Sequence, residues 1–488
     1  MKRYLSNLKV ISKGLLYFGL QLLLTGISVN GYCQPTFQRL YGSLDNDKGF
    51  SITQCSSGGY LVSGSATNFY TLDPDLYLIR ITENGDTIWT RNVANPNVWD
   101  ENAIVCEHSD HSFIVGNYSA TDSSHISIHK YNDQGSELWA QSYFIGYQSF
   151  LSSITTAPYD SNITFCGSYN ASWPLWSSIF VIKTNTDGDE LWRRSFSGSY
   201  IKSYYSQCIE TTIDNGYIVC GSADYPEFDP DKGLLIKISS DGQIQWMKEY
   251  YSQQTGRSFY ISDCKQLPDS SYMVIGVTYD VFMYENKRPV LMRIDKYGNS
   301  LWFKQFDLLD HTYNSILTDN TDNIILAGPG NATAQILKTN MDGEVTDSIT
   351  FDYDFEVALN QTIISHDNGY IMTGAASVSS GYGGSDVVII KANQDGIITR
   401  IPVITSTEDG IELNVWPNPC TEKIEVKSNC IIVSLSIFDS KGSCLYKSRE
   451  GTDFRAGQII NTGSFPKGML FIRGITNQDV FSQKFIKL

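Results

Sequence analysis

Few residues in this 488-residue sequence are of the types and spacing that do chemistry. His125 and His129, in the stretch HISIH, share one face of a strand. Four residues at about 3.3 Å each put them about 13 Å apart, too far to share a metal ion. His108 and His111 flank Asp110 in a stretch read as a loop. Asp45-Asn46-Asp47-Lys48-Gly49 has the opening of a calcium loop, but Ser56 stands at the twelfth position where such a loop places Glu. The expectation is therefore no cofactor, with calcium here as the alternative. No G-x-S-x-G elbow is present, and no carboxylate pair for glycoside chemistry stands out among the acidic residues. No catalytic, cofactor-binding or metal-ligating residue is assigned. Cys55, Cys106, Cys166, Cys208, Cys220 and Cys264 occur singly in strand-like segments and read as small buried hydrophobes. A disulfide such as Cys208–Cys220 fits an exported chain, although sequence does not assign it.

A different set of residues is strictly periodic. Trp89, Trp139, Trp192, Trp246 and Trp302 each follow a glycine by four: Gly85, Gly135, Gly188, Gly242 and Gly298. Two further copies, at Gly343 and Gly396, keep the glycine and lose the Trp. Five positions before every one of these glycines stands a basic residue: Arg80, Lys130, Lys183, Lys237, Arg293, Lys338 and Lys391. As chemistry, such a ring would line a channel and bind an anion. As architecture, it would form repeated ion pairs, with Asp75 and Asp386 as partners for Arg80 and Lys391. A feature of every repeat is architectural, and the Trp series reads as packing between sheets.

The elements that carry these residues are short strands. Each repeat holds an apolar strand ending at glycine, such as Gly59–Gly64 or Gly216–Gly221, then a strand such as Asp75–Arg80, a tight turn, and a Trp strand. Asn84-Gly85, Asp187-Gly188, Asp241-Gly242, Asp342-Gly343 and Asp395-Gly396 predict type I′ hairpins. Four antiparallel strands in roughly 52 residues make one propeller blade, and seven units predict a seven-bladed β-propeller. Phe37 lies one repeat before Trp89, so Phe37–Gly42 is expected to complete the last blade and remove its open edge.

After Arg400 the grammar changes. Leu413–Val426, Val433–Tyr446, Gly463–Gly474 and Phe481–Leu488 read as alternating strands of a small antiparallel, Ig-like β-sandwich. The module resembles the type A C-terminal sorting domain of type IX secretion (Por), found on exported proteins of the Bacteroidetes. The matching residues are Pro417-Asn418-Pro419, Asp439 with Gly442, Pro466-Lys467-Gly468, and Lys484-Phe485-Ile486-Lys487. Leu470 stands where that family usually has an aromatic. The resemblance implies the secretion machinery as a partner, and passage through the periplasm to the surface or the medium. The repeats are also similar to quinone-cofactor dehydrogenase propellers and to kelch-type, galactose-oxidase-like propellers. No adjacent cysteine pair stands here for the first cofactor, and six scattered His do not suit the copper of the second, so both resemblances imply architecture alone.

Composition agrees with this division. Lys2, Arg3, Lys9 and Lys13 precede an apolar run, Gly14–Val29, too short to span a bilayer. Residues 1–33 read as a signal peptide cleaved between Cys33 and Gln34, with a lipidated Cys33 as the competing reading. No other segment is apolar enough to span. The expected domains are the signal at 1–33, the propeller at 34–404, a linker at 405–411 and the sorting module at 412–488. Removing the +4 of residues 1–33 and the +3 of residues 412–488 from the formal −16 leaves −23 on the residues between. Such acidity excludes nucleic acid and anionic lipid as partners. Asp86-Thr87-Ile88 and Asp347-Ser348-Ile349 resemble bacterial O-glycosylation sites. The leading functional expectation is a secreted or surface-displayed binding or scaffold module for a glycan or protein. The alternative is a carbohydrate-active or other hydrolytic enzyme with its site at the central tunnel.

Overall fold

The computed structural model describes residues 36–42, 46–67, 74–93, 99–120, 124–170, 176–198, 202–225, 229–281, 285–319, 323–329, 333–351, 356–377 and 385–398. In the C-terminal module it describes 413–416, 420–428, 431–438, 444–448, 453–455, 457–475 and 480–487. Every regular element among these residues is a β-strand. Six four-stranded antiparallel sheets follow one another, from Asn46–Gln54 through to Val345–Phe351. A seventh has three consecutive strands, Glu356–Ile364, Tyr370–Ser377 and Ser385–Ala392. Its fourth strand is Phe37–Tyr41, which pairs antiparallel to Ser385–Ala392 with Phe37 opposite Lys391. The expected closure by the segment beginning at Phe37 is thus present. The first strand of each sheet packs on the first strand of the next, and that of the seventh packs on that of the first. The sheets form a closed ring of propeller-like blades.

The core is divided among the junctions of this ring. Leu61, Leu78, Phe113 and Val115 fill the first-to-second junction. Cys166, Val181, Tyr217 and Leu234 fill the third-to-fourth. Phe37, Val387, Tyr60 and Val62 close the seventh onto the first. A sheet with neighbours on both faces needs apolar residues at consecutive positions rather than alternating ones. Ser177–Thr184 is buried along its whole length for this reason.

A β-bulge on the first strand sets the shape of the tunnel wall. In the fourth sheet it falls between Ser206 and Cys208. The kink turns the Tyr205 carbonyl towards the second strand, where a Cβ on Gly221 would land on it, so the apolar strand must end at glycine. Bulge side chains also tie neighbouring sheets. Ser152 donates to the Ser206 carbonyl at 2.9 Å, Ser262 to that of Tyr313 at 2.7 Å, and Asn360 to that of Gly49 at 2.8 Å.

The hairpins between third and fourth strands differ from the expected type I′. Among the described residues, Gly85, Gly135, Gly188, Gly242, Gly298, Gly343 and Gly396 have φ between +73° and +86°, while no residue just before them is left-handed. Gly85 N–H donates to Thr82 O, and Thr82 N–H to Asp86 O. This is a type I turn followed by a glycine G1 bulge. It suits these sequences because the residue three before the glycine anchors the turn: Asn132 Oδ1 accepts the N–H groups of Gln134 and Ser136 at 3.1 and 2.8 Å.

In the C-terminal module, Leu413–Trp416, Lys423–Ser428 and Gln458–Asn461 form one sheet. Cys444–Lys447, Ser434–Phe438, Gly468–Ile475 and Val480–Lys487 form a second. Ile424, Val426, Leu435, Ile437, Phe454, Leu470, Ile472 and Phe485 make one core from both. Leu470 is fully buried there, filling the position at which the resemblance expects an aromatic.

Candidate functional site

The periodic residues meet at the junctions. Trp89, Trp139, Trp192 and Trp246 each donate Nε1–H to a backbone carbonyl in the hairpin of the next sheet, at 2.9–3.2 Å. Each ring lies against that hairpin's glycine, as Trp302 does on Gly343. Phe37 takes the same role for the seventh sheet, against Gly85. The sixth sheet lacks the Trp; Ile349 packs on Gly396, and a cavity of about 200 Å³ opens at that junction between Lys338 and Tyr370.

The basic residues are ion-paired, but with other carboxylates than Asp75 and Asp386. Lys130, Lys183, Lys237, Arg293 and Lys391 pair with Asp110, Asp160, Asp214, Asp269 and Asp367 at 2.7–2.9 Å. Arg80 reaches Asp133 of the next sheet at 3.1 Å, and Lys338 reaches Asp347, which occupies the lost Trp position, at 3.5 Å. Residues five apart in a strand point to opposite faces, which removes Asp75 and Asp386 as partners. Asp110, Asp160, Asp214, Asp269 and Asp367 lie three positions before the second strand, in the turn that precedes it, a repeat position legible in the sequence. Lys391 and Lys183 also lie over Tyr60 and Tyr217 of the following sheet, at 5.5 and 5.6 Å. Burial pulls the Lys391 ammonium down, but Asp367 and Tyr60 outweigh it and hold it above its ordinary value.

The tunnel belongs to the first strands. A cavity of about 450 Å³ is lined by first-strand residues from every sheet of the ring, including Ser51, Ile104, Ser153, Gln207, Ser315 and Gln361. Among the described residues its one lining cation is Lys265, which pairs with Glu210 at 2.9 Å. None of the seven periodic basic residues lines it. Burial pushes the Asp263 carboxyl well up, and the neighbouring Cys208 adds to this. A second cavity of about 400 Å³ shares Phe50, Ile104, Ser152 and Gln207 with the first and adds Asn102, Phe150, Leu151, Ser168, Tyr205 and Ser206. Among the described residues, no Asp, Glu, His, Lys or Arg lines it. Phe150 is 43% exposed and stacks on Tyr118 at 5.1 Å.

At the end of the fourth sheet's second strand stands an acidic cluster that the sequence did not single out. Asp224 is pushed up to about 6 by burial, its Ser222 hydrogen bond opposing and Asp231 adding to the rise. Asp231 accepts Tyr225 N–H at 3.1 Å and Tyr279 O–H at 2.8 Å. Beside it, Glu249 takes Lys202 at 2.7 Å, and Lys232 sits 3.7 Å from the centre of the Tyr225 ring.

The histidines are occupied by other partners. His108 is buried between Asp110, 2.8 Å from Nδ1, and the Ser161 carbonyl, 2.7 Å from Nε2. His111 meets Ser56 Oγ at 2.6 Å, and His129 meets Glu137 at 3.0 Å. Asn46 to Gly49 begin a nine-residue strand. Among the described residues, one group of side chains has metal-ligand spacing: Cys208, Cys220 and Cys264. Cys208 and Cys264 are about one repeat apart in sequence, the signal that would have joined them. Thr87 and Ser348 are exposed on outer strands. Of the sorting-motif residues, Gly468 opens its strand at φ +122°, and Lys484 and the buried Lys487 lie on the last strand. Cys33, Gln34, Pro417, Asn418, Pro419, Asp439 and Gly442 lie outside the described residues. No helix among the described residues is long and apolar enough to cross a membrane.

Residues 414–488 match the family described as the secretion system C-terminal sorting domain, and the chain carries that domain as exported cargo. A search of curated proteins finds no match. Among solved structures, the polysaccharide lyase Uly1 is 11% identical over 76% of this chain and 94% of its own, with a TM-score of 0.48. The GH93 α-L-arabinofuranosidase of Fusarium graminearum, in complex with arabinobiose, is 12% identical over 60% and 93%, with a TM-score of 0.45. A protein of unknown function from Dyadobacter fermentans is 10% identical over 61% and 96%, with a TM-score of 0.43.

Proposed function

We propose that the chain is a secreted or surface-displayed binding protein whose ring of sheets takes a neutral glycan at the cavity around Phe50, Phe150 and Tyr205. The carrying observation is the lining itself. Aromatic faces with Ser, Asn and Gln side chains, and no Asp, Glu, His, Lys or Arg among the described lining residues, suit a ligand that stacks its C–H faces and exchanges hydrogen bonds through hydroxyls. Anionic ligands would be repelled by the net −23 of residues 34–411 and meet no cation among the described residues of this cavity. A glycan array probed with the exported chain tests the reading: neutral oligosaccharides bind the wild type and lose affinity about tenfold or more in Tyr205→Ala. Equal binding by both proteins would overturn it.

Asp224 supports a second reading, hydrolysis. A carboxyl pushed up to about 6 by burial, with the neighbouring Asp231 adding to the rise, is the type of group that serves as a general acid. Turnover of a bound oligosaccharide that disappears in Asp224→Asn would favour it over binding alone.

The export route has its own experiment. Residues 1–33 act as the leader in this proposal, and the C-terminal module hands the chain to the type IX machinery at the outer membrane of a bacterium of the Bacteroidetes type. Cells making a chain that lacks residues 412–488 are expected to hold it in the periplasm; unchanged arrival at the surface would refute the module's role.

A further inference from the structure

Three sulfurs converge beside the tunnel where the fourth and fifth sheets meet. Cys208 and Cys220 stand directly opposite each other on Ser203–Thr211 and Tyr217–Asp224, with their Sγ atoms 2.8 Å apart. Cys264, on the first strand of the fifth sheet, places its Sγ 3.7 Å from that of Cys208, and all three lie within 4.8 Å of one another. A separation of 2.8 Å is too close for two unbonded thiols and a short movement from a bond of about 2.05 Å. Cys220 and Cys264 are fully buried, whereas Cys208 is partly exposed and lines the tunnel. An exported chain also passes through a compartment that favours disulfides.

We propose that Cys208 and Cys220 are joined by a cross-strand disulfide in the exported protein, and that Cys264 exchanges with it through Cys208. The trio is then a redox-responsive site that small thiols and disulfides reach along the tunnel. Formation of the bond takes two electrons and two protons from the thiols of Cys208 and Cys220. The oxidant is a disulfide-bearing oxidoreductase or a small-molecule disulfide, which leaves as two thiols. In the exchange, the Cys264 thiolate bonds to Cys208 Sγ as the Cys208–Cys220 bond breaks. Cys220 departs as a thiolate and takes up the proton that Cys264 gave, with no net change in electrons. Cys264 Sγ stands 3.7 Å from Cys208 Sγ, next to the sulfur it attacks. Only the central sulfur faces the tunnel, so an external thiol enters at Cys208 and the outcome is divided between two buried partners.

Peptide mapping of the full exported chain, alkylated without reduction, tests this. The expected product is a Cys208–Cys220 linked peptide, lighter than the two thiols by two hydrogens. In Cys220→Ser the link moves to Cys208–Cys264, a pairing that only the third sulfur's position provides. Should that variant fail to fold, wild-type protein equilibrated in a glutathione redox buffer is expected to show a minor Cys208–Cys264 link that Cys264→Ser lacks. Three alkylated thiols in the wild type would overturn the proposal. So would zinc or copper bound stoichiometrically to three unoxidised cysteines, since the same sulfurs are a donor set for a soft cation. A Cys208–Cys220 link with no Cys208–Cys264 link under either condition would overturn the exchange.

Discussion

The junctions between sheets and the tunnel they surround are built from the same repeat under opposite rules. At the junctions each position is nearly fixed: a Trp on the next hairpin's glycine, and a buried basic residue on a carboxylate. Along the tunnel the corresponding positions of successive first strands vary, with Ser51, Ile104, Ser153, Cys208, Asp263, Ser315 and Gln361 each placed just beyond the bulge or at its equivalent. Identical positions with identical neighbours face identical packing problems, so periodic residues record architecture. The ties between sheets there are made by different side chains from bulge to bulge, such as Ser152, Ser262 and Asn360, and there the departures from the repeat collect: the sulfur trio, Asp263, and the Glu210–Lys265 pair. In a ring of repeats the site is sought where the period fails.

The contrast breaks most sharply at the closing junction. Lys391 is almost wholly buried, its side chain 2% exposed, and it holds Asp367 at 2.9 Å while reaching Tyr60 of the first sheet. Lys391→Ala leaves that carboxylate uncompensated at the junction between the ring's seventh and first sheets. A loss of about 3–4 kcal/mol is expected, towards the lower end for a broken buried pair because Asp367 keeps some solvent. Denaturant unfolding measures it, and a loss below about 1 kcal/mol would mean that the ring does not depend on its ion pairs.

Trp192→Ala, at an interior junction, is expected to cost about 2–3 kcal/mol, through the lost ring contact on Gly242 and the 3.1 Å bond to the Ser240 carbonyl. The reciprocal change, Gly242→Ala, forces φ +80° on a residue with a Cβ that meets the Trp192 ring, and about 1–2 kcal/mol is expected. The two changes act on one contact, so the double variant should fall short of their sum. Full additivity in urea unfolding would dissolve the claimed contact.

The acidic cluster gives a pH test between the two regions. The Asp224 carboxyl is raised to about 6, above its ordinary 3.8. Its protonated form is therefore favoured by the fold, and the contribution is fully present below about pH 4 and lost as pH rises through 6. Wild type should lose up to about 2 kcal/mol of stability across that window relative to Asp224→Asn, which does not titrate. Parallel curves for the two proteins from pH 4 to 8 would show that the carboxyl is ordinary. Asp110 has the opposite sign: burial alone would raise it, but Lys130, Ser112 and His108 hold it below the usual range. Its contribution is present above pH 4 and fades in acid.

What the sequence makes legible follows the same division. The strands, their grouping by four, the closure from Phe37 and the sorting module were all readable, because glycine spacing, a Trp every 50–56 residues and a basic residue five before each glycine repeat the cause of the fold many times over. Even there, local chemistry misled: Asp-Gly and Asn-Gly predict a type I′ turn, and the residue three before the glycine changes it to a type I turn with a bulge. The tunnel was not readable in this way. Cys208, Cys220 and Cys264 are an ordinary apolar choice one at a time, and only the register of two sheets brings them together. Asp224 is unremarkable until burial and Asp231 act on it.

The smallest expected change in stability carries the most about function. Tyr205 lies on the tunnel side of the fourth sheet, half-buried, in the cavity without charges. Its backbone carbonyl, which fixes the bulge against Gly221, remains in any substitution. Tyr205→Ala should therefore lower stability by less than about 1 kcal/mol, as expected for a side chain outside the packed junctions, while reducing glycan binding about tenfold or more. The pair of measurements is what matters. A stability loss as large as that of Trp192→Ala would make Tyr205 part of the architecture, and the tunnel wall would be no freer than the junctions. Unchanged stability with unchanged binding would leave the wall free but place the ligand elsewhere. Only a stable chain that no longer binds separates the residues that hold the ring from those the ring holds in place.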